Sequence, residues 1–266
     1  MRKFIKFFKI PMAIVTAVLI AVTIPVITTC FRFYQTSHIP EIYNNFLKIE
    51  CDANVFINPN VNNPEIEVWV NNTLDLVPQN CIDALSQNWS IIVAPLQREF
   101  QNDDAIQFTK SDTIQDKYAN IDITIGGYTS IPDKVIYICE NTCYNKELFE
   151  ITLIHEIGHM ISAQHGILDN QEDWLMIFDK NHNKYTPNHE YSFPEYANQS
   201  SAEMFATAFC DFITETEKLK ENSNDMYSYM QNIQNLNSKI SIFSKLFNAY
   251  HIVQYTLIQN FNYGGT

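Results

Sequence analysis

Residues Thr152–Gly166 read TLIHEIGHMISAQHG, and three histidines fall within this stretch: His155, His159 and His165. The first two frame the pattern H-E-x-x-H. An α-helix turns about 100° per residue, so side chains four apart leave almost the same face. His155 and His159 can therefore offer ring nitrogens to one zinc ion at about 2.0–2.1 Å. Glu156 stands beside such an ion rather than on it. There a carboxylate takes a proton from zinc-bound water and passes it to the leaving amine of a peptide. The apolar residues Ile151, Leu153, Ile154, Ile157 and Ile161 pack the helix around the motif, a setting that favours a built site over two histidines on an ordinary helix.

Working outward, the amphipathic pattern predicts a helix over Lys146–Gln164, with Gly166 where a C-cap belongs. Before it, Trp89–Ala94 (WSIIVA), Ile121–Ile125 and Lys134–Cys139 (KVIYIC) read as strands. Leu74–Gln87 has a helical apolar period. After it, 167–199 is rich in Asn, His, Tyr and Pro and reads as irregular. Ser201–Thr214 is a second strong helix, opened by Ser200 or Ser201, and Met226–Phe261 is helical in two pieces. A small mixed sheet, an H-E-x-x-H helix beneath an edge strand at Lys134–Cys139, a loop and then helices make an α+β plan of the zincin type.

A catalytic zinc site needs a third protein ligand, and two residues compete for the place. His165 has the spacing of H-E-x-x-H-x-x-G-x-x-H, in which a glycine lets the chain leave the helix and swing the third histidine back. Here Ser162 occupies the glycine position. On a helix that continues to Gly166, His165 is rotated about 240° from His159. Glu203, in SSAEMFATAFCDF, is the alternative, a glutamate on a second apolar helix some forty residues downstream. Asp211, on the same helix, suits an outer partner that fixes a ligand histidine. His182, Tyr185, His189 and Tyr191 lie in the loop between the two ligand helices, where they line a substrate pocket or simply cover the loop.

HEIGH, then Tyr196 in PEYANQSSAE, then EMFATAF from Glu203 resemble the zinc peptidases of the lethal factor family, which include the catalytic domain of anthrax lethal factor and the secreted Pro-Pro endopeptidases. LVPQNCIDAL before WSIIVA resembles that family's leucine-proline helix ahead of its first strand. GGYTSIPDKVIYI resembles its Gly-Tyr turn and the edge strand running into the zinc helix. The resemblance spans roughly residues 65–260. It implies Zn2+ held by His155, His159 and Glu203, Glu156 as general base, and a Tyr196 hydroxyl that stabilises the oxyanion, a neutral donor placed where negative charge develops.

The 266 residues carry 17 Lys and Arg against 30 Asp and Glu. Four of the basic residues, Arg2, Lys3, Lys6 and Lys9, precede an apolar run over Ile10–Thr29, while every acid lies beyond residue 30. So acidic a body excludes nucleic-acid binding, which needs basic surface to displace counterions. The N-terminal pattern is that of a signal peptide or membrane anchor over residues 1–30, which sends the rest out of the cytoplasm. Residues 31–64 then read as a linker or stalk with one short helix at Pro40–Ile49, and 65–266 as the peptidase domain, secreted or membrane-anchored and monomeric. Export would let disulfides persist. The expected pairs are Cys139 with Cys143 and Cys51 with Cys81, leaving Cys210 buried on a helix and Cys30 at a weak lipoprotein-like site. Sequons stand at Asn71, Asn88 and Asn198, a number that this much asparagine yields by chance.

The leading reading is a zinc metalloendopeptidase acting on a protein or peptide substrate outside the cytoplasm, with an extended peptide pairing against the edge strand. Its rivals are a non-catalytic lethal-factor-like binding module and a metzincin-like peptidase with His165 as third ligand.

Overall fold

The computed structural model describes residues 45–94, 113–115, 122–124, 126–131, 134–166, 168–189, 192 and 194–234. The N-terminal 44 residues, with the leader and Cys30, lie outside them, as does the helix expected beyond residue 234. Among the described residues no helix is long and apolar enough to cross a membrane.

The chain enters through two short strands, β1 (Leu47–Lys48) and β2 (Val55–Ile57). Residues 45–64 are therefore part of the fold rather than a linker, and 45–49 form a turn and strand rather than a helix. The reason is burial: Val55 and Ile57 are buried and pair in parallel with Ile91 and Val93 of the first long strand. The helical segment expected at Leu74–Gln87 is two helices, α1 (Ile66–Leu76) and α2 (Gln79–Asn88). Pro78 divides them. Its ring disfavours a helical conformation at the residue before it, and Val77 is extended, with φ −79° and ψ 134°.

Next come β3 (Ser90–Ala94), a separate antiparallel pair β4 (Thr113–Gln115) and β5 (Asp122–Thr124), then β6 (Gly127–Ser130) and β7 (Val135–Cys139). The main sheet has five strands in the order β1-β2-β3-β7-β6. The β2-β3 and β3-β7 pairs are parallel, whereas β1-β2 and β6-β7 are antiparallel. Every residue of β3 and β7 is buried. This makes β7 an interior strand, correcting the expectation that Lys134–Cys139 forms the edge. Among the described residues the edge beside the H-E-x-x-H helix is β6, whose Tyr128 lies opposite Tyr137 of β7.

That helix is α3 (Lys146–Gln164). Asn145 caps it, its side-chain oxygen accepting from the Leu148 amide at 3.2 Å, and Gly166 closes it with φ 108°, a left-handed conformation that glycine adopts without steric cost. The helix is apolar on nearly all sides because it is buried between the sheet and a second helix; Phe149, Leu153, Ile154, Ile157 and Met160 are inaccessible. At its end Trp89 Nε1 donates to Gln164 Oε1 at 3.2 Å within the core.

The segment read as irregular contains α4 (Glu172–Asn181) and a single-turn α5 (Pro194–Ala197). Trp174 anchors α4: fully buried, it packs edge-on against Phe205 and donates its ring N–H to the Ser201 carbonyl. The chain continues as α6 (Ser201–Thr214), α7 (Thr216–Asn222) and α8 (Asn224–Gln234), completing an α+β architecture.

The expected disulfides are absent. Cys51, Cys81, Cys143 and Cys210 are thiols, so neither expected pair forms. Cys51 turns to its own loop, with Sγ donating to the Ala53 carbonyl, while Cys81 is a core residue of α2. Cys143 sits in a 3-10 turn with its thiol on the Cys139 carbonyl. Burial pushes the Cys81 and Cys143 thiols up to about 12, so they behave as small apolar residues. Cys210 is buried on α6, bonding to the Ile151 carbonyl. The Asn198 sequon is buried too, its amide donating to the Tyr185 and Pro194 carbonyls.

Candidate metal centre and active site

The site begins with a close approach of two helices. A Cβ on Gly158 would stand 3.0 Å from Ala206 Cα, 3.3 Å from the Ala206 carbonyl oxygen and 3.3 Å from Phe209 Cβ. The glycine inside HEIGH thus lets α6 lie against α3. Gly158 shares a helix face with His155, and Ala206 shares one with Glu203, so the contact that the glycine permits brings the glutamate opposite the two histidines.

Ser200 caps α6, its hydroxyl accepting from the Glu203 amide at 3.1 Å. Ser-x-x-Glu at a helix start is ordinarily a reciprocal capping box, with the glutamate reaching back to the cap. Here the Glu203 carboxylate faces α3 instead. Its Oε2 lies 3.1 Å from His155 Nε2 and 3.4 Å from His159 Nε2. The imidazoles stand nearly perpendicular, with centroids 4.9 Å apart. One donor atom from each of His155, His159 and Glu203 falls within 4.8 Å of the others. Around a tetrahedral zinc at about 2.0–2.1 Å, neighbouring ligand atoms stand roughly 3.3–3.4 Å apart. The two histidine–glutamate separations are close to that spacing, and two imidazoles and a carboxylate fit that ion in chemistry.

His165 is not in this cluster. The helix runs unbroken through Ser162 to Gln164, leaving His165 as the C-cap residue. Ser162 is buried, and its hydroxyl accepts from the Asp169 amide at 3.0 Å, holding the turn that follows the helix. Burial lowers the His165 imidazole below its usual range.

Around the cluster, Glu156 and Tyr196 complete the set. Glu156 is buried, and its Oε2 accepts from Thr129 Oγ1 of β6 at 2.6 Å. The Tyr196 ring centroid lies 6.2 Å from that of His155. Burial, followed by the charges of Glu203 and Glu156 and a hydrogen bond to Glu203, raises the Tyr196 phenol well above its usual value, so it stays protonated and able to donate. Thr129 escapes a motif search because nothing in GGYTS marks one threonine of an edge strand as a partner of a glutamate in the next helix.

Asp211 does something other than fix a ligand histidine. Fully buried, it accepts from the Tyr185 hydroxyl at 2.5 Å and from the Asn188 side-chain amide at 2.9 Å. His189 Nε2 lies 3.8 Å from Asp211 and 2.5 Å from Thr214 Oγ1. Tyr185 and His189 therefore anchor the loop to α6 rather than line a pocket. His182 ends α4, tilted against Phe178, and Tyr191 lies outside the described residues.

Without metal, the cluster is an ion pair. Burial works against charge on His159, but Glu203, with a hydrogen bond and help from Glu156 and Asp169, pushes the imidazole up to about 9. Burial likewise opposes charge on Glu203, yet the two histidines hold it well below the usual carboxylate range. The His159 contribution to stability is complete below its ordinary value near 6.5 and is lost as pH rises through about 9. Metal-free protein should accordingly lose thermal stability across that window. Zinc needs the same nitrogen unprotonated, so its uptake near pH 7 should release a proton, read as a buffer-dependent enthalpy in calorimetric titration. An enthalpy independent of the buffer would contradict this ion pair.

A search of the curated proteins returns no match. A scan against protein families matches residues 44–233 to the family described as anthrax toxin lethal factor, N- and C-terminal domain. The match begins just ahead of β1 and ends within α8, taking in His155, Glu156, His159, Tyr196 and Glu203. The chain belongs to the anthrax toxin lethal factor family.

Proposed function

We propose that the protein is a zinc-dependent endopeptidase with a zincin-type centre, acting outside the cytoplasm by virtue of its N-terminal segment. The observation that carries this is the meeting of His155 Nε2, His159 Nε2 and Glu203 Oε2 beside the buried Glu156 and the ring of Tyr196. The lethal factor family includes zinc metallopeptidases, and this donor set is what a catalytic zinc takes, three protein ligands with the fourth position left for water or substrate. When bound, zinc supplies a Lewis acid that polarises the scissile carbonyl and acidifies a water.

The chain's own residues do the rest. His155, His159 and Glu203 would hold the ion. Glu156, its Oε2 occupied by Thr129, has Oε1 to accept a proton from the attacking water and deliver it to the leaving nitrogen. The Tyr196 hydroxyl donates to the carbonyl oxygen as negative charge develops there. An extended peptide joins the sheet at the outer side of β6, the strand that also holds the base.

Tyr196→Phe tests the oxyanion role. It is expected to keep zinc and KM while lowering kcat by roughly 10- to 1,000-fold, the scale for loss of one oxyanion donor. An unchanged kcat would remove Tyr196 from the mechanism. A lethal-factor-like module that binds a partner without catalysis has no need of these five residues together, and the zinc content of the purified protein separates the two readings.

A further inference from the structure

The β6 strand presents a seat for the Glu156 side chain, built from two alternate residues. Gly127 and Thr129 are two apart on a strand and so share a face, the one turned to α3. Thr129 Oγ1 lies 2.6 Å from Glu156 Oε2 and 3.0 Å from the Glu156 carbonyl oxygen. A hydroxyl has one proton to give, and the shorter contact has the length of an O–H donating to a carboxylate. At Gly127, a Cβ would stand 2.8 Å from Glu156 Cγ, 3.1 Å from Glu156 Oε1 and 3.0 Å from Thr152 Cγ2. The atom it would meet first, Cγ, belongs to the Glu156 side chain. Any larger residue at 127 moves Glu156 before it disturbs a backbone.

From this geometry we infer that Thr129 positions the general base by holding Glu156 Oε2, and that Gly127 is the cavity in which its side chain lies. The inference rests on the peptidase reading. Thr129 acts through Glu156 and not on the reacting atoms. Its hydroxyl fixes one carboxylate oxygen and leaves the other to move the proton, which removes the rotational freedom of a long side chain beside the reacting atoms. Because β6 is the edge strand, the residues that orient the base belong to the strand that a peptide would join. A strand that shifts shifts the base with it.

The test uses the full chain loaded with zinc and a quenched-fluorescence peptide drawn from a random library. Thr129→Val keeps the shape and deletes the donor; kcat should fall about 10- to 100-fold, the scale of a misplaced catalytic group, with KM and zinc content unchanged. Thr129→Ser restores the donor and should stay within about threefold of wild type, a rescue that packing alone does not give. Gly127→Ala should lower kcat at least as far as Thr129→Val while retaining zinc. A second readout needs no activity: a chemical-unfolding cycle on metal-free protein with Thr129→Val, Glu156→Ala and the double variant. Thr129→Val should raise the unfolding constant about tenfold or more when Glu156 is present, and clearly less when Glu156 is alanine, where the hydroxyl keeps only the backbone carbonyl at residue 156. Full kcat in Thr129→Val, loss of zinc from it, or equal destabilisation in both backgrounds would overturn the inference. A wild-type protein that cleaves no peptide fails the peptidase reading instead, and the unfolding cycle still reports whether the two side chains are coupled.

Discussion

Glu203→Ala strips the site of zinc, and His165→Ala leaves it nearly unchanged: that is the expected outcome of measuring zinc dissociation constants for the two variants side by side. Glu203 brings its Oε2 to within 3.4 Å of both histidine nitrogens, whereas His165 ends a helix that never turns back. Losing a ligand should cost more than the ~10- to 100-fold typical of losing an outer partner of a ligand. The variant also leaves His155 and His159 without their acid, so the metal-free His159 imidazole should fall from about 9 towards its ordinary range. NMR titration of the ring would follow it. If His165→Ala loses the metal while Glu203→Ala keeps it, the third ligand is the histidine and the centre is of the metzincin kind.

Glu156→Gln carries the other large effect. The amide keeps the size of the carboxylate and can still accept from Thr129, so fold and zinc should be retained. It cannot take the water proton, and kcat should drop by at least the ~10²–10⁴ that general acid–base groups contribute. Zinc content and circular dichroism measured on the same preparation separate lost chemistry from lost structure. A Glu156→Gln protein without zinc would make Glu156 a ligand and would overturn the division of labour between neighbouring residues of the motif.

The sequence was most legible where a long element carried its own period and its own ends. The α3 boundaries follow from apolar spacing and Gly166, and α6 from Ser200 ahead of an apolar run, and both helices have the ends that these signals imply. Elements of two or three residues show no period, which is why Leu47–Lys48 and Val55–Ile57 passed for linker among asparagines and prolines. The α4 helix was hidden by its surroundings, since Trp174 and Ile177 form a short apolar stripe beside a loop of Asn, His and Pro. That β6 rather than β7 is the edge depends on pairing between distant strands, which alternation within one strand does not encode. Glu203 is marked in the sequence by its place on a second apolar helix and by Tyr196 ahead of it; Thr129, a single hydroxyl on a strand, bears no such mark. Export permits disulfides without dictating them: Cys81 and Cys210 are core residues of helices, and Cys51 bonds within its own loop.

The most direct measurement of the central claim is the zinc content of the purified full chain, taken together with cleavage of a random peptide library before and after removal of metal. The expected result is one zinc per chain, cleavage products that vanish in chelator, and their return when zinc is added back. Undiminished cleavage by the metal-free protein, or a protein that takes up no zinc, would contradict it.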